Sequence, residues 1–152
     1  MEMCRAKPQD AERLTEIAFA AKRHWGYPEA WIQAWKEVLT IRPEFIVSHE
    51  TYVAYVDGAA IGFYALVGEL KRASLEHLWV LPGAMGQGVG RALFNHAVQR
   101  AKAVGIEAIE IESDPNAEEF YNRMGARRVG TKRADVDGQT RILPLLIYEC
   151  SK

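Results

Sequence analysis

Residues 75–102 read LEHLWVLPGAMGQGVGRALFNHAVQRAK, and this stretch decides how the rest of the chain is organised. It begins as an apolar strand, breaks at Leu81-Pro82, turns through Gly83, Gly86, Gly88 and Gly90, and continues as a helix. Glycines let a backbone approach a bulky ligand and aim successive N–H groups at it. A helix start adds unpaired N–H groups and a partial positive charge. Strand, glycine turn and helix in that order make a site for phosphate or pyrophosphate.

Downstream, the helix runs over 90–104, with Leu93, Phe94, Ala97, Val98 and Ala101 facing inward, and stops at Gly105. A strand over 106–112 follows. Asp114-Pro115-Asn116 opens a short helix through Met124, ended by Gly125, and strands over 126–131 and 142–149 flank the turn Asp137-Gly138. Upstream, residues 73–81 are preceded by a hairpin, 51–56 and 60–69, turning at Asp57-Gly58. Residues 45–47 are short and apolar and open this strand-rich region.

At the N-terminus, residues 1–6 suit a short strand. Pro8 begins a helix whose stripe is Ala11, Leu14, Ile17, Ala18 and Ala21. After Gly26-Tyr27-Pro28 a second helix is expected over 29–39, because Trp31, Trp35 and Val38 share a stripe. Hairpins early and β-α-β units late predict an α/β fold: a mixed sheet with helices on both faces. Its 152 residues suit a single domain, 1–152.

Composition narrows the function. The formal charge of −1 gives no electrostatic reason to expect nucleic acid or an anionic membrane as partner. The cluster Arg127, Arg128, Lys132, Arg133 reads as a solvated edge. Cys4 and Cys150 stand near opposite ends without metal-site spacing, so no metal is expected and a reducing, cytoplasmic setting fits. No apolar run approaches the roughly 20 residues of a membrane span, and MEMCRAKPQDAERL lacks a signal-peptide core.

The turn itself is not a P-loop, since no Gly-Lys-Ser or Gly-Lys-Thr occurs. Nor is it a dinucleotide fingerprint: Arg91 or Leu93 stands where the third glycine belongs. Gly86-Gln87-Gly88-Val89-Gly90-Arg91 instead resembles the acyl-coenzyme A loop of the GCN5-related N-acetyltransferases (GNAT), written Q/R-x-x-G-x-G/A. Met85 departs from that pattern, standing where Gln or Arg is usual. Asn116-Ala117-Glu118-Glu119-Phe120-Tyr121, followed by Gly125, resembles the family's second signature, N-A-x-x-F-Y-x-x-x-G. The resemblance covers about residues 45–149; the first forty match only in element order.

This resemblance implies a sheet splayed between the strand ending at Val80 and the strand 106–112, with acetyl-coenzyme A as co-substrate entering the gap. Gly86, Gln87, Gly88, Val89, Gly90 and Arg91 would surround the pyrophosphate, the amides of Gln87, Gly88, Gly90 and Arg91 contacting it. Leu78, Trp79 and Val80 would border the cofactor arm, the backbone of Leu78 and Val80 meeting it, and Asn116 would touch it. Tyr121 would protonate the departing thiolate; a phenol with a reference pKa near about 10 remains a donor at neutral pH.

Acetyl transfer to an amine also needs a group to take the amine's proton, directly or through water. Glu76 is the first candidate, because alternation from Val80 puts it on the face of Leu78 and Val80. His24, His49, Glu110 and Glu112 rank below it. His77, on the opposite face, reads as a hydrogen-bonded structural residue. Trp35 reads as core, whereas Trp25 and Tyr27, at the interrupted helix junction, are candidates to line the acceptor pocket. An aromatic wall there would suit a flat or cationic acceptor. The expected activity is direct acetyl transfer to a primary amine of a small molecule or peptide; the alternative is an acyl-coenzyme A sensor without turnover. The strand 142–149 offers an edge or face to a second copy, so a homodimer is a further expectation.

Overall fold

A computed structural model describes residues 1–150, the side chain of Glu69 excepted. Ser151 and Lys152, the end of the expected single domain, lie outside the described residues. Seven strands form one sheet: β1 (Glu2–Arg5), β2 (Glu50–Val56), β3 (Ala59–Glu69), β4 (Arg72–Val80), β5 (Ala108–Glu112), β6 (Arg127–Val136) and β7 (Gln139–Glu149). Their order is β1-β2-β3-β4-β5-β7-β6, and only β4 and β5 run parallel. The helices are α1 (Ala11–Arg23), α2 (Glu29–Ala34), α3 (Lys36–Leu39), α4 (Pro43–Ser48), α5 (Val89–Ala103) and α6 (Glu118–Arg123).

The sheet separates two apolar cores, as the mixed α/β reading requires. On one face, α5 buries Leu93, Phe94, Ala97 and Ala101 against Tyr64, Leu75, Ile109, Ile111 and Leu146. On the other, α1 buries Leu14, Ile17 and Ala18 with Ile46, Val53 and Phe63. The strand alternation divides β3 between them, Tyr64 and Leu66 turning to the first core and Phe63 to the second.

The parallel pairing of β4 with β5 is short. It joins Arg72 to Ala108, Ala73 to Ile109 and Ser74 to Glu110, and then stops. From Leu75 to Val80, β4 pairs only with β3, so the sheet opens into a wedge. Antiparallel bonded and non-bonded pairs alternate. Because the Leu81 N–H donates to the Ile61 carbonyl at 2.9 Å, the N–H groups of Val80 and Leu78 turn the other way, into the wedge. The expected splay is present, and its β4 wall carries free backbone donors.

Three local readings change. Residues 45–47 are helical, within α4: Pro43 occupies the first turn with Arg42 extended before it, Ile46 is buried and Val47 exposed. A short apolar run does not distinguish strand from helix by period. The helix expected over 29–39 breaks at Trp35, whose backbone (φ −89°, ψ 4°) separates α2 from α3. And β7 lies between β5 and β6, with Leu145 to Ile147 paired on both sides, so that part of the strand offers no edge to a second copy. Among the described residues no helix is long and apolar enough to cross a membrane.

Candidate active site

The glycine turn lies at the open end of the wedge. Gly86 and Gly88 have φ of 77° and 82°, in the left-handed region where a side chain is strained. Gly88 is the cap of α5, and the first intrahelical bond of that helix is Ala92 N–H to the Gly88 carbonyl. The N–H groups of Val89, Gly90 and Arg91 therefore have no acceptor within the helix. No acidic side chain sits in the first turn to neutralise this end, and Arg91 is exposed with no ion pair among the described residues. Gln87 folds back, its Nε2 donating to the Gly83 carbonyl at 3.2 Å, which braces the turn. Met85 is partly buried and contributes no donor.

Gly90 is where three elements converge. A Cβ built on it would lie 3.3 Å from Cε1 of Phe120 and 3.9 Å from Cγ2 of Val80. The missing side chain lets α6 and the end of β4 close on the first turn of α5. Tyr121, the next residue, is 7% exposed and packs its ring on Phe94 and Phe120. Its hydroxyl makes no hydrogen bond among the described residues. Burial, with the charge of Asp114 in addition, holds its phenol above the ordinary value, so it stays protonated at neutral pH.

Glu76 is the extra residue of a β-bulge: Ala65 faces His77 and Leu66 faces Leu75, leaving Glu76 without a partner. Counting alternate residues back from Val80 does not fix the direction of a bulged side chain, so that argument for Glu76 is corrected. Its carboxylate is exposed and makes no hydrogen bond or ion pair among the described residues. His77 is structural, as expected. Its Nδ1 accepts from the Trp79 indole N–H at 2.9 Å, its ring packs near Phe45 and Phe63, and burial lowers its pKa to about 4. Glu110 and Glu112 are taken up by Arg72 and Lys132 in exposed ion pairs.

Beside the wedge, on the α1 face, stands a polar cluster that the sequence did not announce. Asp114, just beyond the end of β5, receives Lys22 of α1 at 2.7 Å, with both side chains little exposed, 11% and 12%. The ammonium of Lys22 lies 4.3 Å from the ring centre of Trp35 and 5.9 Å from that of Trp79 on β4. Lys22 thus spans the gap between the two parted strands. Tyr27 donates to Asp114 at 2.9 Å and accepts from Arg141 of β7 at 2.8 Å and from Asn116 at 3.0 Å. Arg141 stacks over Tyr27 and Trp35, its guanidinium carbon 4.9 and 5.0 Å from their centres.

The electrostatics of this cluster follow from burial against charge. Burial lowers the Lys22 pKa, Asp114 partly restores it and Arg141 lowers it further. Burial would raise the Asp114 carboxyl, but Lys22, the Asn116 N–H and Tyr27 together hold it below its usual value. Tyr27 is pushed up to about 12, by burial first and then by the Asp114 carboxylate.

Of the two acceptor-pocket candidates, the structure brings Tyr27 into this cluster, whereas Trp25 is 42% exposed and touches only the His24 ring among the aromatics. Asn116 is tied to Tyr27 and Asp114. Lys22, Asp114 and Arg141 escaped sequence reasoning. Lys22 carried a signal, standing four residues after Ala18 on the apolar stripe of α1; Arg141 carried none. The aromatic faces are covered by the chain's own cations, which removes the argument for a cationic acceptor.

The acetyltransferase (GNAT) family model matches residues 11–126, and the chain belongs to that family. A protein named peptidyl-lysine N-acetyltransferase, from Salmonella typhimurium, is 32% identical over 104 residues; the match covers 68% of this chain and 66% of that protein, just under two thirds of its length. A GCN5-related N-acetyltransferase from Rhodopseudomonas palustris superposes with a TM-score of 0.81 at 21% identity, covering 97% of this chain and 94% of that one. The PaiA N-acetyltransferase from Thermoplasma acidophilum, solved with coenzyme A, gives 0.76 at 23% identity, covering 97% and 98%. At these identities the structural likeness speaks for the fold alone.

Proposed function

We propose that the chain is an acetyl-coenzyme A-dependent N-acetyltransferase that passes acetyl directly to a primary amine. The observation that carries this reading is the wedge: β4 and β5 part after Ser74, and the opened wall of β4 leads to the free N–H groups of α5. Acetyl-coenzyme A would supply the acetyl group as a thioester. The residues present fit it, with donors at Val89, Gly90 and Arg91 for its pyrophosphate and at Leu78 and Val80 for its arm.

In this reading the N–H groups on the β4 wall donate to the thioester carbonyl oxygen and stabilise the charge that grows there. The amine nitrogen bonds to the carbonyl carbon and the carbon–sulfur bond breaks. Glu76 takes the amine's surplus proton, directly or through water. Tyr121 gives its proton to the sulfur; surroundings that raise a phenol's pKa also raise that of a thiolate released beside it, so the transfer is not uphill by the full shift. The family membership and the naming of the Salmonella relative as a peptidyl-lysine N-acetyltransferase support amine acetylation.

Calorimetric titration with acetyl-coenzyme A, ATP and NAD, followed by an amine screen read by free-thiol release, tests this. Binding of acetyl-coenzyme A with thiol release that depends on an amine is the expected result. Tight ATP or NAD binding without acetyl-coenzyme A binding would sink it, and binding without turnover would leave the sensor.

A further inference from the structure

The Lys22–Asp114–Tyr27–Arg141 cluster holds two cations and one carboxylate. Asp114 is the only carboxylate paired with either cation among the described residues. Its bond to Lys22 is short, at 2.7 Å, whereas Arg141 stands off at 3.6 Å. One positive charge is therefore left over, and it resides on the guanidinium.

The donors of that guanidinium are mostly unused. Arg141 donates through Nη2 to the Tyr27 hydroxyl; Nε and Nη1 make no hydrogen bond among the described residues. No fully buried side-chain nitrogen or oxygen lacks a partner there. Nε and Nη1 consequently keep some contact with solvent, although the side chain as a whole is only 12% exposed. The rings of Tyr27, Trp31 and Trp35 crowd the fork, their centres 4.9, 5.8 and 5.0 Å from its carbon. Nε and Nη1 lie on different edges of the guanidinium, and each shares its edge with Nη2, which carries a second hydrogen besides the one given to Tyr27. An edge of that kind, on a cation in excess of the one carboxylate beside it, matches a carboxylate, which takes two parallel N–H donors.

Resting on the acetyltransferase reading, we propose that the acceptor carries a carboxylate as well as its amine, and that Arg141 is the anchor for it. The amine would then reach toward β4, since Lys22, 2.7 Å from Asp114, lies near the Trp79 ring beside Leu78 and Val80. Lys22 adds to the positive potential and holds Asp114 away from the guanidinium of Arg141.

The test compares matched acceptors: a panel of α-amino acids, their carboxamides and the corresponding decarboxylated amines, with the wild type and with Arg141→Gln and Arg141→Lys. The expected result is that amino acids are acetylated, and that Arg141→Gln raises KM for them about 10- to 100-fold while leaving the carboxamides nearly unchanged. Comparing the acid-to-amide ratio between variant and wild type cancels the differing reactivity of the two amines. Arg141→Lys, which keeps the charge without the fork, should retain only part of the preference.

Acetyl-coenzyme A titration of each variant checks that it is folded. If Arg141→Gln does not fold, the wild-type comparison decides: preference for the decarboxylated amines overturns the inference. So does equal loss on acids and amides in a folded variant, or failure of every carboxylate-bearing amine while acetyl-coenzyme A still binds. Failure of acetyl-coenzyme A to bind the wild type would instead overturn the acetyltransferase reading beneath it.

Discussion

Tyr121 gains nothing for stability from its hydroxyl, which has no hydrogen-bond partner among the described residues, while its ring packs on Phe94 and Phe120. Tyr121→Phe keeps the ring and removes only the proton donor. Turnover should fall by roughly 10²-fold or more, the usual range for a general acid, with the melting temperature and the acetyl-coenzyme A dissociation constant near wild type. Thiol-release kinetics beside calorimetry check this; a variant at full speed would remove Tyr121 from the chemistry. The Asn116 amide is a different case, since it already bonds the Tyr27 hydroxyl and the Asp114 carboxylate. Its contribution is to hold those two groups together.

The start of α5 depends on backbone conformation more than on side chains. Gly88 caps the helix at φ 82°, and a Cβ added there would meet nothing within 4 Å, so the cost of Gly88→Ala is conformational only, about 1–2 kcal/mol. The same change turns the N–H groups that face the wedge and should weaken acetyl-coenzyme A binding by about tenfold, since the helix-start donors act together. Gly83 is the control: it is exposed, has no positive φ and no neighbour within 4 Å, so Gly83→Ala should leave melting and binding unchanged. Equal effects at the two positions would mean that the turn's conformation is not what matters. Met85 fits the same logic, because a turn that works through N–H groups tolerates the loss of one side-chain donor.

Across the whole molecule, acid stability is coupled to the seam between β4 and the α1-side core. His77 is neutral in the fold: burial lowers its pKa to about 4, and its Nδ1 already accepts from Trp79, which a protonated ring cannot do. The unfolded chain takes up that proton near pH 6.5. Between about pH 6.5 and 4 the unfolded state therefore binds more protons, and stability falls as pH falls, by about 3 kcal/mol in total. Asp114, with its pKa depressed, adds a loss only below the ordinary carboxylate range, so the two windows separate. In urea melts from pH 7 down to 4, wild type should lose this stability whereas His77→Asn, whose Oδ1 can replace Nδ1 as acceptor and does not titrate, should lack that slope. A variant with unchanged pH dependence would refute the assignment.

The sequence alone determined the fold class, the order of most elements and the two motifs, because these rest on local causes. Glycine conformations, helix periodicity and hairpin turns are written within a few residues of where they act, and they carried the family as well. It misread residues 45–47, too short to show a period, and the run through Trp35, where an inward-packed indole interrupts the helix. Only the tertiary structure decided the bulge at Glu76, the interior place of β7 and the meeting of Lys22, Tyr27, Asp114 and Arg141. Tyr27 and Arg141 alone stand 114 positions apart along the chain, and nothing local relates the four residues. They meet because α1 packs across β3 and β4 while β7 runs beside β5 and past its end, next to the opening where β4 and β5 part.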